Sequence, residues 1–287
     1  MSAYQHIEVH RAGSALGAEI RGVSLAEPIP QPAFDEIYRA WLEHHVVFFR
    51  DQQITPAQQL EFGQRIGGIH IHPFNKGLDD HPEVLEILKT ENQQANNGGR
   101  WHSDQMYTPK PAKATMLVAR ETPPHGGDTQ FSNLHLSYEA LSPSMQNLLA
   151  GLKGVNNGDS RKYHKLTRAE RASSGVGTMP QKEQPEDVPT ISVHPIIRTH
   201  PETGRKALYF GSHTERFEDM TEAESDSLLK FLTAHATRPE FVYRHRWETG
   251  TVTLWDNRCL QHFAVNDYQG HRRCMHKITI AGDDKPH

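Results

Sequence analysis

Cysteine is nearly missing from this chain: Cys259 and Cys274 are the two in 287 residues. Two thiols cannot staple a chain of that length, so no disulfide framework is expected, and a reducing, cytoplasmic setting is. Long apolar runs are missing too. None approaches the roughly 18 residues that a membrane-crossing helix needs, so no membrane association is expected. The opening MSAYQHIEVHRAG has neither the basic start nor the apolar stretch of a secretory leader. Charge of one sign is equally scarce. With a formal net charge of −4 and no stripe of Lys or Arg, nucleic acid is excluded from the expected partners. Histidine, by contrast, is abundant at 20 copies, and since a metal site uses two or three of them, placement has to decide which matter.

A length of 287 residues suits one domain spanning 1–287. Two short strands are expected from Glu8 to Val23 about the turn Gly13 to Gly17, then a loop at Pro28 to Pro32. Phe34, Ile37, Tyr38, Trp41 and Leu42 recur at helical spacing, and Val46 to Phe49 reads as a short buried strand. Thr55 caps a second helix with Pro56 at its first position, ended by Gly67 and Gly68. Further strands are expected at Glu83 to Lys89, Ala114 to Arg120, Thr129 to Ser132, Ile191 to Arg198 and Ala207 to Phe210. A helix from Thr221 to His235 carries a capping box, Thr221 with Glu224, and three strands follow at Phe241 to Trp247, Thr251 to Trp255 and Cys274 to Ala281. The stretch at about 156–190 is polar and without periodicity. A loop that long is expected to be an active-site lid or an oligomer arm. Many short strands with few helices point to a mainly β, α+β architecture, a double-sheet β-roll decorated by helices.

Within Arg100-Trp101-His102-Ser103-Asp104 an imidazole and a carboxylate stand two residues apart. In an extended strand both would point to one face and reach one ion. His262, just past a strongly apolar strand, is the candidate third ligand. Two imidazoles and one carboxylate leave open positions on an octahedral ion, the arrangement of iron(II) oxygenases. Arg273, on the next strand, can clamp a carboxylate with two parallel hydrogen bonds, and Thr129 can add a hydroxyl donor. A keto acid with a distal carboxylate would suit that clamp and supply the electrons that iron(II) alone lacks.

The segments His102-Ser-Asp104, Gly126-Gly-Asp-Thr129, Trp255-Asp-Asn-Arg258, His262 and His271-Arg-Arg273-Cys-Met-His276 resemble the TauD/TfdA family of 2-oxoglutarate-dependent dioxygenases. Val46 to Gln52, His70-Ile-His72-Pro73, Thr199-His-Pro201, Ala234 to Phe241 and Gly282-Asp extend the resemblance in the same order along the chain. The resemblance implies a double-stranded β-helix (jelly-roll, cupin-like) fold, with iron(II), 2-oxoglutarate and dioxygen as cofactor and co-substrates. It makes His102, Asp104 and His262 the metal ligands, gives Arg273 and Thr129 the distal carboxylate of 2-oxoglutarate, and places His72 against the substrate.

The departures concern the substrate. Asn75 stands where the taurine-oxidising members have tyrosine, Gly98 where they have asparagine and Lys277 where they have arginine. In the Leu208 to His213 region an aromatic of theirs is replaced by polar residues. Asn75, Gly98, Lys277 and His72 are therefore expected to line a roomier pocket for a small anionic molecule: a sulfonate, sulfate ester, phosphonate or aryloxy or other carboxylate, with taurine not the best substrate. A taurine dioxygenase proper and a zinc-binding β-roll without oxygenase activity are the alternatives. A homo-oligomer, dimer or tetramer, is expected.

Overall fold

The computed structural model describes residues 4–158, 179, 180, 182 and 188–287. Its largest sheet places β1 (Glu8–Arg11), β2 (Ala18–Arg21), β3 (Val46–Phe49), β14 (Val252–Asp256), β6 (Ala114–Glu121), β16 (Arg273–Ile280) and β4 (Ile69–His70) side by side in that order. β5 (Leu85–Lys89) also pairs with β16. A second sheet runs β13 (Val242–His245), β7 (Thr129–Asn133), β15 (Leu260–Ala264), and a third runs β12 (Thr214–Phe217), β8 (Lys153–Asn157), β9 (Ile191–Pro195). β10 (Ile197–Thr199) and β11 (Lys206–Leu208) form a separate pair. Of these pairings only β2 with β3 is parallel.

The central strands are apolar on both faces, and the period of two sorts their side chains into two cores. Met116 and Val118 of β6 join Val47, Phe49, Leu254 and Ile278 on the outer face. Helices α1 (Gln31–His44) and α2 (Pro56–Ile66) cover that face with Phe34, Ile37, Trp41, Phe62 and Ile66. Trp41 is fully buried, and truncating it to alanine would cost about 3–5 kcal/mol. The alternate residues, Leu117 and Ala119, meet Phe131 of β7 and Leu260 of β15 in an inner core shared by the two sheets. That face-to-face pair is a jelly roll, as expected. Three more helices, α3 (Leu134–Glu139), α4 (Pro143–Leu149) and α5 (Glu222–Ala236), contribute Leu134, Leu149 and Leu232 to a third cluster with Leu208, Phe210 and Phe217.

Caps explain the helix ends. Thr55 and Thr221 both make reciprocal capping boxes, with Gln58 and Glu224. α1 begins at Gln31, ahead of the expected position, with Pro32 in its first turn. It stops where His45 turns left-handed at φ 62° and returns its N–H to the Trp41 carbonyl. Elements that the sequence reading left out are β4, α3, α4, β8, β12 and β15. Most of the loop expected at about 156–190 lies outside the described residues, whereas Asn156 and Asn157 belong to β8. No helix among the described residues is long and apolar enough to cross a membrane.

Candidate active site

One cavity of about 290 Å³ opens between the two facing sheets, and all nine site residues expected from the sequence line it. Alternation on β16 explains part of this: Arg273, Lys277 and Thr279 share the inward face with Met275. β5 adds Leu85 and Ile87, and β6 adds Leu117, through registers that set Lys277 opposite both Leu85 and Leu117. From the second sheet come Thr129, at the start of β7, with His262 and Ala264 of β15.

Of the strand expected at His102 and Asp104, the structure shows an isolated bridge at His102. His102 alone is strand-like: it exchanges both backbone hydrogen bonds with His262, at 3.1 and 2.8 Å. Such directly opposed residues project to the same side, and the two imidazole rings lie 4.1 Å apart between centroids. After it the chain turns. The Ser103 hydroxyl donates to the Leu260 carbonyl at 2.6 Å, and Gln105 adopts φ 56°, a left-handed conformation uncommon for a residue with a Cβ. Asp104 Oδ1 lies 3.7 Å from His102 Nε2 and 3.9 Å from His262 Nε2.

The donor set fits a metal ion. His102 Nδ1 donates to the Arg100 carbonyl at 2.7 Å, which leaves the Nε2 lone pair facing Asp104. His262 Nδ1 has no hydrogen-bond partner among the described residues, and packing holds its ring instead, 4.9 Å from Trp255 and 6.2 Å from Phe131. Burial keeps both imidazoles below their ordinary range, hence neutral and able to ligate at pH 7. Burial alone would raise the Asp104 carboxyl, yet the Lys277 ammonium, with His262 and His102 adding to it, holds it far below the usual carboxylate range. The ammonium sits 2.8 Å from Oδ2, which also accepts from the Thr115 hydroxyl at 2.5 Å. Asn257 ties these together: its amide donates to Thr115 Oγ1 at 2.9 Å, and its Oδ1 accepts from Trp255 Nε1 at 3.0 Å and from Asp104 N at 3.3 Å.

Arg273 fits an anion. It is 7% exposed, its Nε has no hydrogen-bond partner, and no carboxylate among the described residues pairs with it. Burial lowers its pKa, offset in part by the Tyr268 hydroxyl, and its guanidinium lies 5.7 Å over the Trp247 ring. Trp247 Nε1 donates to Thr129 Oγ1 at 3.0 Å, so the hydroxyl proton of Thr129 remains available for an acceptor in the cavity.

The substrate-side residues are also placed. His72 Nδ1 accepts two backbone N–H groups, from Phe74 and Asn75, both at 3.1 Å. That fixes the neutral ring as the Nε2–H tautomer, with Nε2 3.4 Å from the Asn75 side-chain amide. Gly98 has φ 81°, so its exchange for a larger residue is limited by conformation as well as by space. Lys277, expected at a substrate anion, lines the same cavity, with its ammonium 2.8 Å from Asp104 Oδ2. Residues the sequence reading did not single out are Gln105, Tyr107, His213 and the apolar Phe74, Leu85, Ile87 and Met179. Burial lowers the His213 pKa to about 4.

Fold and cavity together define a jelly-roll protein with a two-histidine, one-carboxylate cluster beside a buried arginine. Comparison with known proteins places it further. Residues 8–279 match the family described as taurine catabolism dioxygenase TauD, TfdA family. An α-ketoglutarate-dependent sulfate ester dioxygenase of Pseudomonas putida is 33% identical, over 96% of this chain and 90% of that protein. An (S)-phenoxypropionate/α-ketoglutarate dioxygenase of Sphingobium herbicidovorans is 31% identical, over 94% and 93%. The crystal structure of a taurine dioxygenase from Burkholderia xenovorans superposes with a TM-score of 0.81 at 33% identity, covering 97% of this chain and 92% of that one. The chain belongs to the TauD/TfdA family of α-ketoglutarate-dependent dioxygenases.

Proposed function

We propose that this chain, acting as one domain, hydroxylates a small anionic organic substrate using iron(II), dioxygen and 2-oxoglutarate, with taurine a poor substrate. The observation that carries this reading is the cavity itself, where three donor atoms, Asp104 Oδ1 and two imidazole Nε2, stand in one chamber with a buried arginine that pairs with no carboxylate among the described residues. His102, Asp104 and His262 would hold the metal; Arg273 and Thr129 would hold the distal carboxylate of 2-oxoglutarate. Iron(II) held there supplies the redox chemistry by which dioxygen is reduced while 2-oxoglutarate becomes succinate and carbon dioxide and a substrate carbon is hydroxylated.

Charge decides the substrate class. Among the described residues the cavity lining carries two cations, Arg273 and Lys277, and one carboxylate, Asp104. A divalent metal and a dianionic co-substrate cancel each other, leaving one positive charge for the substrate to neutralise. Sulfate esters, sulfonates, monoanionic phosphonates and aryloxy or other carboxylates supply it. Taurine brings an ammonium as well, and Asp104, the one carboxylate on the lining, is already engaged. His72 Nε2–H and Asn75 would meet the head group, Lys277 contributing charge, while Gly98 and the walls of Phe74, Leu85, Ile87 and Met179 receive the rest.

Two free, buried thiols support a cytoplasmic setting. Exposed Ile191 and Val193 on β9, at an edge of its sheet, support a homo-oligomer. The function is tested by succinate formation with hexyl sulfate, phenoxyacetate and taurine. Fastest turnover on taurine would refute the substrate class. Failure of the metal-free protein to develop the visible charge-transfer band of a chelated keto acid, on anaerobic addition of iron(II) and 2-oxoglutarate, would refute the chemistry.

A further inference from the structure

We propose that Lys277 is a positioning residue of the metal centre. With Thr115 it occupies Oδ2 of Asp104, so that the carboxylate meets a metal through Oδ1 alone and leaves two adjacent positions for 2-oxoglutarate. The inference rests on the metal-site reading above.

Hydrogen-bond directions support it. Thr115 Oγ1 accepts from the Asn257 amide at 2.9 Å, so its own proton is directed to Asp104, whose Oδ2 it meets at 2.5 Å. Lys277 Nζ approaches the same oxygen at 2.8 Å. Oδ2 thus takes a hydroxyl and an ammonium, while Oδ1, the oxygen nearest both imidazoles, takes neither. An ammonium suits this task because it is a point donor; the planar fork of an arginine would engage both carboxylate oxygens and contest Oδ1 with the metal. The register supports the same end: Lys277 lies opposite Leu117 and Thr279 opposite Thr115 on β6, so lysine and threonine approach Asp104 from neighbouring strands of one sheet. Without these donors the carboxylate is free to turn and chelate through both oxygens, which would close a position that 2-oxoglutarate needs.

The test uses Lys277→Met and Thr115→Val in the full chain. The first removes the ammonium; the second frees the same oxygen without changing charge. Anaerobic titration of the iron(II)-loaded proteins with 2-oxoglutarate, read by the visible charge-transfer band, is expected to need about 10–100-fold more 2-oxoglutarate in Lys277→Met, and more than wild type in Thr115→Val. Without metal, Lys277→Met leaves Asp104 buried with no cation and should melt at least about 6 °C lower. Titrations matching wild type in both variants overturn the proposal. So does a Lys277→Met protein altered solely in its response to hexyl sulfate, which would assign Lys277 to the substrate. If Lys277→Met does not fold, an unchanged Thr115→Val titration is sufficient to overturn it. Absence of the band in wild type would instead sink the metal-site reading.

Discussion

Replacing Arg273 by methionine should separate stability from function in opposite directions. Arg273 is 7% exposed and has no carboxylate partner among the described residues, and burial already lowers its pKa. The metal-free protein therefore carries a desolvated charge that Tyr268 and Asp128 offset only in part and that no carboxylate among the described residues pairs with. Methionine, of similar length and apolar, would remove that cost, and a gain of about 1 kcal/mol would raise the metal-free melting temperature by about 2–4 °C. Co-substrate binding should suffer, because the distal carboxylate of 2-oxoglutarate would enter the same desolvated space with no cation to meet it. Losing one member of a buried charge pair costs about 3–5 kcal/mol, so its dissociation constant should rise by about a hundred to a few thousand fold. Thermal melts of the metal-free protein measure the first effect and anaerobic titration of the charge-transfer band measures the second. A variant that melts lower and binds 2-oxoglutarate as wild type does would show Arg273 to be structural.

His102→Ala, Asp104→Ala and His262→Ala should each lose iron and turnover, since two remaining ligands cannot fix the ion, and metal analysis after desalting checks this. Arg258→Met should destabilise the turn that feeds β15. Arg258 donates to buried Asp256 through N, Nε and its terminal nitrogen at 2.9, 2.8 and 2.7 Å and also pairs with Glu202, so about 3–5 kcal/mol and a melting temperature lowered by roughly 6–20 °C are expected. Acid should weaken the metal-free fold well above the carboxylate range. Burial lowers His45 to about 3 and His135 to about 4, so both stay neutral in the fold while their unfolded counterparts protonate near 6.5. Their contribution is present in full above pH 6.5 and is lost as pH falls towards those folded values, at about 1.4 kcal/mol per histidine per pH unit. A melting temperature flat between pH 7 and 5.5 would contradict it.

Elements with strong local signals were legible in the sequence. Thr55-Pro56 and Thr221 with Glu224 announce helix starts, and the apolar runs of β3, β6 and β14 are strands buried on both faces. The missed elements are short and locally ambiguous. α3 is six residues long and holds a serine and a histidine, yet Asn133 caps it by accepting from His135 N and Leu136 N. α4 had a readable start, Ser142 followed by Pro143. β15 mixes Gln261 and His262 with apolar neighbours, and its alternation makes sense once Gln261 is seen to bond the Phe210 carbonyl on the outside while His262 faces in.

At the site, residue type and order were enough to bring nine positions to one cavity, because metal and anion chemistry tolerate few substitutes and the family pattern fixes their sequence positions. His102 and Asp104 do face one cavity, but strand pairing stops at His102 and the chain turns through left-handed Gln105 directly after Asp104, which a two-residue spacing does not report. Lys277 shows the deeper limit. From sequence, a cation replacing a cation suggests the same anionic partner, but the partner is chosen by which acceptor lies across the strand, and Asp104 arrives there from a segment 173 residues away. Substrate choice is harder still, since its wall draws Asn75, Gly98, Tyr107, His213 and Met179 from separate loops and turns, where no periodicity reports which side chain points inward. The charge of the cavity survives that loss of detail because it sums over residues whose ionisation their surroundings fix, and it is on charge that taurine and a monoanion differ.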